Sequence, residues 1–161
     1  MDCGAKPTSN RNEVQPFFAA PEMLPLDNID AVVITHAHVD HIGMLPVLFK
    51  FGYKGPVYCT QPTRDLMTLL QMDYIKVAQA EGNEAPYSKS DIQECIKHVV
   101  DVNWGEKTDI APDIKMTMEN AGHILGSSSV YMQIGEGRDE HKLLFSGCLL
   151  YTSDAADEPV C

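Results

Sequence analysis

His36-Ala37-His38-Val39-Asp40-His41 places four metal-ligating side chains within six residues, directly after the run Ala31-Val32-Val33-Ile34-Thr35. Imidazole nitrogen and carboxylate oxygen both suit zinc, and a cluster that mixes them with open coordination positions is arranged to acidify water rather than to close a structural site. The stretch reads as the core of a metal-dependent hydrolase. If Ala31 to Thr35 is a buried strand ending at His36, alternate residues share a direction, so His36 and His38 face one ion. A helix beginning at about His41 turns Asp40 and His41 toward a second ion. Two ions roughly 3.5–4 Å apart clamp both oxygens of an in-line displacement.

A second segment, Ala121-Gly122-His123-Ile124-Leu125-Gly126-Ser127, sets one histidine between glycines. It follows an alternation of Ile114, Met116 and Met118 with Lys115, Thr117 and Glu119, the pattern of a half-buried strand. His123 is the candidate third ligand of the first ion. A lone histidine is more often a structural group, and only partnership with the first cluster gives this one weight.

Taken with the opening Asp2-Cys3-Gly4, these segments resemble the metallo-β-lactamase superfamily in its nucleic-acid-processing β-CASP branch. Within that branch the chain is similar to archaeal ribonucleases related to the cleavage and polyadenylation specificity factor. Gly55-Pro56-Val57-Tyr58-Cys59-Thr60, Pro62-Thr63-Arg64-Asp65-Leu66-Met67 and Asp109-Ile110-Ala111-Pro112-Asp113-Ile114 support the resemblance, which runs from about residue 2 to Gly147. It implies a partial αββα sandwich, with His36, His38 and His123 on one zinc and Asp40 with His41 on the other. Asp2 then takes the role of a carboxylate that orients ligands without binding metal. The implied reaction of the intact protein is RNA phosphodiester hydrolysis in 3′-end processing or transcription termination, with endonuclease and 5′-to-3′ exonuclease action both open. RNA is the implied partner, and a homodimer of the intact protein is compatible with the resemblance. A thioesterase-like hydrolase of the same fold and a non-catalytic RNA-processing scaffold are the alternatives.

Leu144-Phe145-Ser146-Gly147 reads like the strand that delivers the family's bridging aspartate, but Cys148 follows. A thiolate binds zinc, yet it is a soft group for clamping hydroxide, and residues 148–161 lose the family pattern and resemble translated adapter sequence. The expectation is a partial metallo-β-lactamase domain over 1–147 and a non-native tail over 148–161. The second zinc site is then incomplete and the piece inactive by itself; whether it folds alone is open.

With 161 residues and a formal net charge of −11, the chain suits one core and is unfavourable for gripping a phosphate backbone. Most RNA affinity of the intact protein is therefore expected to come from elsewhere. Five cysteines, an odd number without a C-x-x-C pair, favour free thiols and a reducing compartment. No run approaches the ~20 apolar residues of a membrane span, so a cytoplasmic location without membrane contact is expected.

The elements that must position these groups alternate as in an α/β protein. Residues 5–25 read as a loop with Phe17 and Phe18 as packing anchors, and Asp30 to Thr35 as a strand. Ile42, Leu45, Leu48 and Phe49 form a helical stripe that tolerates Pro46 in its first turns and ends at Gly52. Pro56 to Thr60 is a short strand. A long helix from near Pro62 to near Gly82 is expected to bury Leu66, Leu69, Leu70, Tyr74, Val77 and Ala78. Ser90 and Gln93 suggest a capping box for another helix through about His98. His98 and His141 read as surface groups, Tyr74, Tyr87 and Trp104 as packing positions, and Arg64 and Lys76 as a solvated face.

Overall fold

The computed structural model describes residues 1–5 and 24–149; Phe17, Phe18 and the tail beyond Leu149 lie outside the described residues. β1 (Val32–Val33), β2 (Val57–Cys59) and β3 (Val99–Asp101) form a parallel sheet in that order. Between them run α1 (Val39–Ile42), α2 (Leu45–Lys50), α3 (Gln61–Ala80) and α4 (Lys89–Lys97). The chain then makes an antiparallel meander of β4 (Lys107–Ala111), β5 (Ile114–Asn120), β6 (Ser128–Ile134) and β7 (His141–Phe145).

Strand alternation divides the core in two. Val32, Ile34, Val57 and Cys59 point into a cluster with Ile42, Leu45, Leu48, Phe49, Met67 and Cys95 from the helices. Their neighbours Val33 and Tyr58 point the other way and meet Met116, Met118, Val130 and Met132 of the meander. Met116 and Met118 are fully buried, each worth roughly 1.5–3 kcal/mol against exposure. The expected alternation of β5 is thus realised. Helices, parallel sheet and meander stack in three layers, the helix–sheet–sheet part of the expected αββα sandwich. β7 is exposed at every position.

Two sequence expectations are corrected. The buried line of α3 is Thr63, Met67, Gln71 and Ile75 rather than the Leu66-based stripe; Leu69 and Val77 are 65% and 49% exposed. The line rotates because Thr63 and Gln71, although polar, bond to carbonyl groups of the β5–β6 loop and of α1. The capping box of α4 is Ser88 with Asp91, not Ser90 with Gln93. The Ser88 hydroxyl accepts from the Asp91 amide, and the Asp91 carboxylate accepts from the Ser88 amide.

Shorter differences also follow from local bonding. α1 begins at Val39, two residues before His41. Trp104 is 43% exposed, its indole N–H donated to the Ser128 hydroxyl at 3.0 Å, so it is not a core position. His98 is half-buried at the end of α4, against the Phe49 ring. Tyr74 and Tyr87 stack with centroids 5.9 Å apart. No described helix is long and apolar enough to cross a membrane.

Candidate metal centre

All three parallel strands end at one edge of their sheet, where ligands bind in open α/β sheets. The 36–41 segment leaves β1 at that edge. Ile34 and Thr35 still bond like strand residues, to the Tyr58 carbonyl and from the Ser128 amide, so the segment starts from fixed backbone. The loop between β5 and β6 comes to the same place with His123 at its tip. His36 Nε2 lies 3.1 Å from His38 Nδ1, and His123 Nε2 lies 3.2 Å from the same His38 atom. Ring centroids of the three histidines are 4.9–5.0 Å apart. Two residues near in sequence and one 85 positions away from His38 thus aim nitrogens at one point.

The proton positions around Asp2 follow from counting donors. Its carboxylate accepts from the Thr35 amide at 2.8 Å, from the Thr35 hydroxyl at 3.0 Å and from His41 Nδ1 at 2.8 Å. A hydroxyl has one proton. With that proton on Asp2, the Thr35 oxygen can only accept from His36 Nδ1, 2.9 Å away. His36 is then the Nδ1–H tautomer, and its Nε2 lone pair faces His38 and His123. His41 likewise donates through Nδ1 to Asp2, and its Nε2 is turned toward the Asp40 carboxylate.

Burial of the ring, reinforced by neighbouring His41, His38 and His123 and opposed by Asp2, pushes the His36 pKa down to about 4. Its ring is therefore neutral, as a ligand must be. Three imidazole nitrogens brought to one point are the donor set that a zinc-type cation takes. The donor set fits zinc: His36, His38 and His123 form the one described group of at least three residues whose ligand atoms lie within 4.8 Å of one another.

Asp40 and His41 lie beside this group. His41 Nε2 is 3.4 Å from Asp40 Oδ2, and the His41 and His36 ring centroids are 3.9 Å apart. Among the described residues neither Asp40 nor His41 belongs to a group of three or more converging ligand atoms. Cys148 is half-buried and does not belong to the three-histidine group. His98 and His141 are outside it as well.

The N-terminal segment holds Asp2 in place through backbone bonds: Asp2 N–H to Val33 O at 2.8 Å, Cys3 N–H to His41 O at 2.7 Å, and Ala5 N–H to Val39 O at 3.0 Å. Asp2→Ala removes an acceptor shared by three donors, one of them the buried Thr35 amide. Zinc affinity of the chain is expected to fall 10- to 100-fold, the usual cost of losing an outer partner of a metal ligand. Competition against a chromophoric chelator reads this directly, and an unchanged affinity would show that Asp2 does not orient the rings.

Thr35, Thr60, Thr63, Gln71 and Ser127 support the site without being ligand types, and the sequence assigns none of them that role. Thr35 looked like the end of an apolar strand, and its signal was a hydroxyl between a buried run and a ligand. Ser127 accepts from both the His123 and Ile124 amides at 3.1 Å. It was visible only as the end of the glycine-bracketed motif.

Residues 1–143 match the metallo-beta-lactamase superfamily domain. The chain is 50% identical over 159 residues to transcription termination factor FttA of Methanosarcina mazei, covering 99% of this chain and 24% of that protein. It is 48% identical over 162 residues to FttA of Methanocaldococcus jannaschii, covering 100% of this chain and 25% of that protein. The chain thus spans about a quarter of the length of these curated relatives. Among solved structures, the Rm3 metallo-beta-lactamase aligns with a TM-score of 0.48 at 17% identity, over 74% of this chain and 41% of that one. With its ligand motif, its layered sheets and a match over residues 1–143, the chain belongs to the metallo-β-lactamase superfamily and, with its archaeal relatives, to the β-CASP branch.

Proposed function

We propose that this chain carries the metal-binding face of a zinc-dependent hydrolase that cleaves RNA phosphodiesters in the intact protein. The observation that carries the proposal is the convergence of His36 Nε2, His38 Nδ1 and His123 Nε2 from two distant segments. Those three residues would hold the first zinc; Asp40 and His41 would contribute to a second. When bound, zinc supplies positive charge that acidifies water, whose pKa falls from 15.7 toward about 7, and that offsets charge building on phosphate oxygens.

The chain's own residues prepare the site. Asp2 and Thr35 fix the proton of His36 on Nδ1, and Asp2 fixes that of His41 on Nδ1, so both rings offer Nε2 toward the ions. Asp40 adds a carboxylate, a hard donor suited to the more exposed position. RNA as substrate is supported by the relatives' identity as transcription termination factors. The net charge of −11 assigns most RNA affinity to parts of the intact protein outside this chain. A cytoplasmic location, and a homodimer of the intact protein, accompany this reading.

Labelled RNA and a thioester offered to the full-length protein, with and without a zinc chelator, test the assignment. Chelator-sensitive RNA cleavage with little thioester hydrolysis is expected. Preferential thioester turnover would transfer the site to the other hydrolase reading, and RNA binding without cleavage to a scaffold. The 161-residue chain itself is expected to bind zinc without cleaving RNA.

A further inference from the structure

Helix α3 makes no ligand, yet it touches both segments that do. At its first turn the Thr60 and Thr63 hydroxyls both lie against the Gly126 carbonyl, at 2.7 and 2.9 Å, three residues past His123. Thr60 Oγ1 also accepts from the Thr63 amide as the helix cap, which leaves its own proton for Gly126. Two turns along, Gln71 Nε2 donates to the Ile42 carbonyl, next to His41, at 3.1 Å. All three side chains are buried: Thr60 4%, Thr63 0% and Gln71 1% exposed.

Buried polar groups cost stability unless paired, and an N-cap needs only one hydroxyl. Gln71 even leaves its Oε1 without a partner among the described residues. A leucine or methionine there would pack without that cost, so helix stability alone does not account for the arrangement. What these groups share is a carbonyl adjacent to a metal-ligand segment.

The contact with the 121–127 loop is tight. A Cβ on Gly126, whose φ is +86°, would lie 2.7 Å from both the Thr63 amide nitrogen and its hydroxyl oxygen. Within the loop, Ser127 ties its oxygen to the His123 and Ile124 amides, and Ala121 N–H donates to Ser127 O at 3.1 Å. Movement of Gly126 is therefore transmitted to His123.

We propose that α3 is the spacer of the metal centre: Thr60 and Thr63 pin the His123 loop, Gln71 pins the 36–41 segment, and the helix between them fixes how far His123 stands from His38. These are positioning residues. The eight steps of the helix from Thr63 to Gln71 span ~12 Å of a rigid rod, which holds a separation better than two free loops do. The inference rests on the metal-centre reading for its purpose, but not for its geometry.

The test uses the whole chain with labelled histidine rings. In the metal-free wild type, ring-proton contacts by NMR are expected for both His38–His123 and His36–His41. Thr63→Val keeps shape and removes the tether's hydroxyl; it is expected to lose the His38–His123 contact while keeping His36–His41, and to lower Co2+ affinity about tenfold with a changed visible spectrum. Thr63→Ser restores both. If Thr63→Val retains the His38–His123 contact, Thr60→Val is added to remove the remaining hydroxyl from Gly126: loss of the contact in the double variant supports the proposal, and its retention there overturns it. If Thr63→Val loses His36–His41 as well, Gln71→Met decides, because it removes the other tether without touching the cap: a weakened His38–His123 contact supports the spacer and an unchanged one overturns it. A wild type that shows both contacts but binds no Co2+ would defeat the metal-centre reading instead.

Discussion

Replacing His123 by alanine is expected to cost this chain at least about a hundredfold in zinc affinity and to leave the ion only loosely held by the 36–41 segment. The magnitude follows from sharing roughly 10–16 kcal/mol of apparent zinc binding among four ligands, or about 3 kcal/mol for each. His123 is the informative ligand to remove because it alone comes from the second sheet. His36 and His38 lie two residues apart and would meet in many local conformations. His123 reaches His38 Nδ1 only if β5, β6 and their loop are folded against the parallel sheet. Its ring is half-buried and its removal leaves the backbone bonds of the loop to Ser127 in place, so the fold is expected to survive, with an unaltered circular dichroism spectrum. Chelator competition and the visible spectrum of the Co2+ form measure the loss. A variant that held zinc as tightly as the parent would mean that the three rings do not share an ion, and the hydrolase reading would lose its foundation.

How far the sequence disclosed this centre depends on what kind of constraint each residue obeys. His36, His38 and His123 were legible because metal ligands are few in type and their chemistry demands convergence. Met116 and Met118 were legible because a strand with one buried face has a period of two. The buried line of α3 was misread because apolar periodicity assumes that burial selects apolar side chains. There it selected Thr63 and Gln71, whose partners, the Gly126 and Ile42 carbonyls, are 63 and 29 residues distant. Such pairings belong to tertiary structure and leave no periodic trace. Thr35 was hidden for a related reason. Its hydroxyl matters through Asp2, 33 residues earlier, and nothing in the local run distinguishes it from an ordinary β-branched strand residue. The ligands of the site are therefore written in residue type, whereas the groups that aim them are written in distance.

Gly4→Ala is the second large effect expected, and it tests that aiming directly. A Cβ at position 4 would lie 1.5 Å from the Asp40 carbonyl oxygen, 2.0 Å from its carbon and 2.7 Å from the His41 nitrogen. Each is a backbone atom inside or beside α1, so no side-chain rotation relieves the overlap. The opening segment must lift instead, and with it go Cys3 N–H to His41 O, Met44 N–H to Cys3 O, and the three bonds that Asp2 accepts from Thr35 and His41. Overpacking ordinarily costs 1–3 kcal/mol, and hydrogen bonds lost with it add about 1 kcal/mol each. With all five bonds lost, a destabilisation of roughly 6–8 kcal/mol is expected, comparable to the whole stability of a small domain, so the urea transition of Gly4→Ala should lie far below that of the parent or be absent. Gly82→Ala is the control: its Cβ meets nothing within 4 Å and its φ of +74° brings backbone strain alone, worth roughly 1–2 kcal/mol. Zinc affinity should fall in Gly4→Ala as it does in Asp2→Ala, because both leave His41 Nδ1 without its carboxylate, and should be unchanged in Gly82→Ala. A Gly4→Ala chain no less stable than the control would mean that the opening segment does not lie on α1, and Asp2 would then have no means of setting either ring.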